Sequence, residues 1–149
     1  MEKSIKEVTQ IYRLDDINVL VEKLFALKDD CKIYIFTGDL GAGKTTLVKA
    51  LLKKFGVQES VTSPTFSYVN TYQNDKQEFL YHFDIYRLTS LDEFLHLGFD
   101  ELLYGQQSWA FIEWPEVIEP LLDHKICEIH LDYDVENVEQ RIVKYKLIV

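Results

Sequence analysis

Apolar residues recur along the chain with two different periods. Ile17, Leu20, Val21, Leu24 and Phe25 follow i, i+3, i+4, i+7, i+8 spacing behind Asp15 and Asp16, which predicts an amphipathic helix with an aspartate at its N-cap. Ile33 to Thr37 is a short β-branched and aromatic run ahead of a glycine-rich turn, the pattern of a buried strand. Leu47, Val48, Leu51, Leu52 and Phe55 return to helical spacing as far as Gly56, the expected C-terminal cap. Strand, glycine loop and helix therefore follow one another directly.

Thr65 to Tyr72 and Glu78 to Tyr86 are aromatic and β-branched and flank the turn-forming Gln73 to Lys76, so a hairpin is expected. In its second strand Phe79, Tyr81, Phe83 and Ile85 share one face, and Leu80, His82, Asp84 and Tyr86 the other. Ser90 and Glu93 have capping-box spacing for a helix closed by Gly98, with a further short helical segment over Asp100 to Tyr104. Trp109 to Ile112 is a compact apolar strand ending at Glu113, after which Pro115 forces the chain out of the ladder. Ile126 to Leu131 and Val138 to Val149 predict a final strand pair around Tyr133 to Asn137.

The chemistry is concentrated in the glycine loop. Gly38, Asp39, Leu40, Gly41, Ala42, Gly43, Lys44 and Thr45 match GxxxxGK[ST] without a gap. Such glycines let successive backbone N–H groups face an anion, and the helix that follows adds the positive end of its dipole. Lys44 is expected to reach the β- and γ-phosphates of a nucleotide, Thr45 to hold Mg²⁺, and Thr46 to lie near the α-phosphate. From average residue usage, chance would produce such a match about once in two hundred sequences of this length, and the strand before and helix after make chance a poor explanation.

Magnesium needs a second anchor, normally a carboxylate at the end of a neighbouring strand. Asp84 and Glu113 both qualify, and either can be the group in direct contact. The apolar lead into Glu113 reads as a buried parallel strand, which favours it as the Walker-B-like residue. Asn74 to Gln77 does not supply the Asn-Lys-x-Asp element that reads guanine, so ATP is the expected nucleotide. The three arginines, Arg13, Arg87 and Arg141, are too few for the arginine-rich lid of a metabolite kinase. The histidines at 82, 96, 124 and 130 lack metal-ligand spacing and are assigned no role.

Composition narrows the setting. A chain of 149 residues with 47% apolar and 28% charged residues is one soluble globular domain, spanning residues 1–149. The net charge of -9 disfavours a stand-alone nucleic-acid binder. The polar start and the lack of a long apolar run point to the cytoplasm and no membrane association. Cys31 and Cys127 form no CxxC pair and read as reduced packing residues.

Four blocks together, Gly38 to Thr46, Ser63 to Phe66, His82 to Leu88 and Ile112 to Pro115, resemble the signature of the bacterial TsaE (YjeE) family in order and spacing. The resemblance implies a single-domain α/β P-loop NTPase fold with a mixed sheet flanked by helices, binding ATP and Mg²⁺ and hydrolysing ATP weakly by itself. It implies work with the TsaD and TsaB proteins in threonylcarbamoyladenosine modification of tRNA. Carried over, Lys44, Thr45 and Thr46 match the phosphate and metal loop; Asp84 and Glu113 the two acidic positions, catalytic with Lys44; and Trp114 the tryptophan beside the second acid, with a packing role as its alternative. Ser63 to Thr65 sits where a loop would sense the γ-phosphate. Gln106 to Ser108 departs from the apolar lead expected before Glu113 and predicts a shortened strand; Thr9 to Asp16 carries no strong motif. The charge further implies that tRNA is reached indirectly, through the partner proteins, with hydrolysis resetting the complex. A small-molecule kinase and a nucleotide-dependent binding switch without significant hydrolysis are the alternative functions.

Overall fold

The buried run ahead of the glycine turn, β2 (Ile33–Gly38), lies at the centre of a seven-stranded sheet. The computed structural model describes residues 7–148; most of the polar start, residues 1–6, and Val149 of the last predicted strand lie outside the described residues. The remaining strands are β1 (Val8–Arg13), β3 (Val69–Gln73), β4 (Phe79–Asp84), β5 (Ser108–Glu113), β6 (Ile126–Tyr133) and β7 (Gln140–Ile148), in the order β1-β7-β6-β2-β5-β4-β3. β6, β2, β5 and β4 run parallel, while β1, β7 and β3 pair antiparallel at the two sides. The mixed α/β sheet anticipated above is thus present.

Alternation along β2 divides the core into two layers. Tyr34 and Phe36 face α1 (Ile17–Phe25) and α2 (Lys44–Lys54), whose Leu20, Leu24, Leu47 and Leu51 are fully buried. Ile33 and Ile35 face the other way, where Phe94 of α3 (Leu91–His96) and Ile118 of a 3-10 helix (Pro115–Leu121) cover Phe83 and Ile112. Every residue of β5 is buried, as a parallel strand sandwiched between helical layers requires. Tyr34 and Phe111 stack at 5.3 Å with Phe55 edge-on to both, and the Tyr34 hydroxyl donates to the Leu24 carbonyl at 2.8 Å. That bond ties the last turn of α1 to the central strand. Among the described residues no helix is long and apolar enough to cross a membrane, and both cysteines are buried and free.

Several expectations need correction. Asp16 is the residue before α1, but its side chain makes no capping bond, because a 3-10 turn over Leu14–Asp16 leads straight into the helix. β3 starts only at Val69: Tyr68 takes a left-handed φ of 64°, which ends any extended run from Thr65. The Ser90 hydroxyl accepts from the Glu93 N–H as expected, but the Glu93 carboxylate reaches Thr89 instead of closing the box on Ser90. The segment expected over Asp100 to Tyr104 is a 3-10 helix at Phe99–Leu102. Gln106 to Ser108 does not shorten β5, since Ser108 itself pairs in register with Phe79. β1 was not anticipated; only Tyr12 of its six residues is buried, so its polar alternation gives little signal.

Tyr34→Phe keeps the aromatic stack and removes the hydroxyl's bond to the Leu24 carbonyl, which still accepts from the Leu27 N–H at 3.1 Å. It should lower the unfolding free energy by about 1 kcal/mol, measured by urea titration.

Candidate functional site

The parallel register delivers the site. β2 and β5 align Phe36 with Glu113, and β4 and β5 align Asp84 with Glu113, so both carboxylates stand beside the exit of β2. There the chain turns sharply at Gly38, whose φ is 134° and where a Cβ would collide with the Leu131 carbonyl of β6. Gly41, at φ 81°, passes so close to β6 that a Cβ would lie 2.7 Å from the Tyr133 hydroxyl. The loop is held from that side: Tyr133 donates to the Leu40 carbonyl at 3.2 Å, Arg141 Nε donates to the Ala42 carbonyl at 3.2 Å, and the guanidinium lies 4.6 Å over the Tyr133 ring. α2 then begins at Lys44 with glycine as its N-cap. A glycine offers no side-chain oxygen, so the first-turn N–H groups are left to an anion.

Lys44 is only 4% exposed. Its ammonium donates to the Gly38 and Asp39 carbonyls and sits 3.8 Å from the centroid of the Trp114 ring. Burial holds its pKa below the ordinary lysine value, against the opposing pull of Glu113, Glu116, Asp39 and Asp84. Trp114 reaches this position because it takes a left-handed φ of 61° where β5 gives way to Pro115, and Tyr86 packs against it at 4.7 Å. Thr45 Oγ1 donates to Glu113 Oε1 at 2.7 Å. The other oxygen, Glu113 Oε2, is 2.6 Å from His82 Nε2, with both side chains buried. Asp84 accepts from the Tyr86 N–H at 3.3 Å.

A cleft of about 210 Å³ results, lined by Leu40, Gly41, Gly43, Lys44, Thr45, Thr46, Asp84, Glu113 and Trp114. All nine were candidates from the sequence. Ser63 and Thr65 do not line it; they border an adjoining cleft of about 280 Å³ that shares Asp84. A larger hollow of about 350 Å³ between Glu119, Glu128 and Lys144 contains none of the candidates. The loop amides and Lys44 could hold phosphate, and the oxygens of Thr45, Asp84 and Glu113 suit a hard cation such as Mg²⁺. Among the described residues no three His, Cys, Asp or Glu side chains form a metal cage, so such a cation would share phosphate oxygens and water.

His82, given no role above, belongs to this cluster. Its signal was positional, two residues before Asp84 on the same side of a strand. Tyr133 and Arg141 were also missed, and no motif marks them.

The family model described as threonylcarbamoyl adenosine biosynthesis protein TsaE matches residues 11–143. A tRNA threonylcarbamoyladenosine biosynthesis protein TsaE of Rickettsia felis is 41% identical over 106 residues, covering 70% of this chain. The matched part spans 60% of that relative's length. A protein of the same description from Haemophilus influenzae is 36% identical over 121 residues, covering 79% of this chain and 75% of its own. The crystal structure of Bacillus subtilis YdiB has 27% sequence identity and a TM-score of 0.64, covering 100% of this chain and 88% of that one.

Burial, opposed by the Tyr86 N–H and reinforced by Glu113, raises the Asp84 pKa above the ordinary aspartate value. Between those two values the folded protein keeps a proton that the unfolded chain has released, so ligand-free stability falls as pH rises through that interval. Asp84→Asn should therefore raise the thermal midpoint at pH 7 by roughly 1–3 °C. That gain should vanish below the ordinary carboxylate range.

Proposed function

The chain belongs to the TsaE family, and on that premise we propose that it binds Mg·ATP in the cleft beside Lys44 and serves tRNA threonylcarbamoyladenosine biosynthesis. The observation that carries this reading is the contact between the loop and β5: Thr45 donates to Glu113 at 2.7 Å while Lys44 lies buried alongside. The site is held together by its own groups in a way that a triphosphate can replace. Lys44, bonded to loop carbonyls, exchanges them for β- and γ-phosphate oxygens. Thr45, freed from Glu113, and Asp84, next to Glu113 in register, would hold the cation through their side-chain oxygens. Mg²⁺ when bound neutralises phosphate charge and fixes its geometry. Glu113, released by Thr45, faces the cleft with a free carboxylate oxygen and can orient a water molecule. Trp114 covers Lys44 and shields this region from bulk solvent. Ser63 and Thr65, across Asp84, border the side on which a γ-phosphate sensor would close.

Hydrolysis by the isolated chain is slow, since among the described residues no arginine lines the cleft to stabilise charge on the transferring phosphoryl group. The net charge of -9 leaves tRNA to be held by partners, TsaD and TsaB, with ATP turnover resetting that assembly.

Lys44→Ala should weaken ATP binding by about tenfold or more, equivalent to roughly 1.4 kcal/mol, in calorimetric titration with Mg²⁺. Wild-type affinity in that variant would refute the phosphate site. In a mixture of purified TsaD, TsaB, tRNA and a threonylcarbamoyl donor, modification should require this protein and should fail with Glu113→Ala; normal modification without the protein would overturn the functional reading.

A further inference from the structure

We propose that His82 is the positioning residue for Glu113, holding its carboxylate so that one oxygen stays aimed at the Thr45 side of the cleft; this rests on the Mg·ATP reading above. His82 is fully buried in β4, between Phe111 of β5 and Asn70 of β3 in register, with Leu80 and Phe83 as its buried neighbours along the strand. An apolar side chain would fill such a position without a polar cost. The imidazole instead brings Nε2 to 2.6 Å from Glu113 Oε2, while Nδ1 is buried with no hydrogen-bond partner among the described residues. A carboxylate only accepts, so Nε2 carries the hydrogen of this contact. Among the described residues the one polar contact that the ring makes is with Glu113, so that contact is what a histidine supplies at this position and an apolar side chain would not.

The geometry explains what that contact does. The terminal torsion of a glutamate is broad and nearly two-fold, so a carboxylate held by one bond can swing. Glu113 is held by two, Thr45 on Oε1 and His82 on Oε2. When Thr45 turns to a bound cation, His82 alone keeps the carboxylate plane fixed and its free oxygen directed into the cleft. His82 touches neither nucleotide nor metal and acts only through Glu113.

The test compares H82L, H82Q and H82N with E113Q in the full chain, reading ATP affinity in EDTA and ATP turnover against Mg²⁺ concentration with TsaD, TsaB and tRNA present. H82L removes the donor and should lower kcat about 10- to 100-fold, with ATP affinity in EDTA unchanged. H82Q, whose amide extends towards the Nε2 position, should restore most of the turnover; the shorter H82N should not. The H82L/E113Q double variant should be no slower than E113Q alone, since both changes act on one group. Wild-type kcat in H82L with E113Q inactive would overturn the role of His82 and leave the site reading intact. Wild-type kcat in E113Q would overturn the site reading itself. If H82L does not fold, the H82Q and H82N pair decides: equal turnover in the two overturns the proposal.

Discussion

The register of three neighbouring parallel strands sets everything at the site. β2 is hydrogen-bonded to β5 with Phe36 opposite Glu113, and β5 to β4 with Glu113 opposite Asp84. A slip of one residue on β5 would turn Glu113 to the other side of the sheet, away from Thr45 and His82. The apolar alternation of β5 and β2 between two helical layers forbids that slip, because it would exchange the residues of the two cores. The chemistry is thus held in place by burial of Phe111 and Ile112, which never touch the cleft.

The electrostatics of the cleft follow from the same crowding. Two carboxylates sit side by side at the end of the sheet with one buried ammonium near them, and Glu116 and Asp39 add further negative charge. Burial disfavours the charged forms of both Lys44 and Asp84. A ligand-free site of this kind is held at a cost in stability, which a cation and a polyphosphate would together relieve. The loop carbonyls and the Trp114 ring are what the lysine uses in the meantime.

Much of this arrangement was legible in the sequence. The glycine loop, the strand before it and the helix after it are local features, and each has its own pattern. Asp84 and Glu113 were legible because each ends an apolar strand, and strand ends in a parallel sheet gather at one edge. His82 was not, because a histidine two residues from an acid carries meaning only once β4 and β5 are known to be neighbours. Tyr133 and Arg141 act across more than 90 residues of chain on loop carbonyls, and main-chain acceptors leave no trace in side-chain patterns. β1 was hidden by being an edge strand with one buried residue, and the early end of the hairpin by a left-handed tyrosine that no residue preference announces.

Two glycines of the loop have a second reason for being glycine. Gly38 is pressed against the Leu131 carbonyl, main chain that cannot give way, and Gly41 holds a φ of 81° beside the movable tip of Tyr133. The close approach of β6 at the first and the backbone conformation at the second each favour glycine whether or not a phosphate is ever present. These two glycines are therefore favoured by the fold itself, independently of any ligand. In a chain with this loop it is Lys44 and Thr45, more than the glycine spacing, that would report on phosphate chemistry.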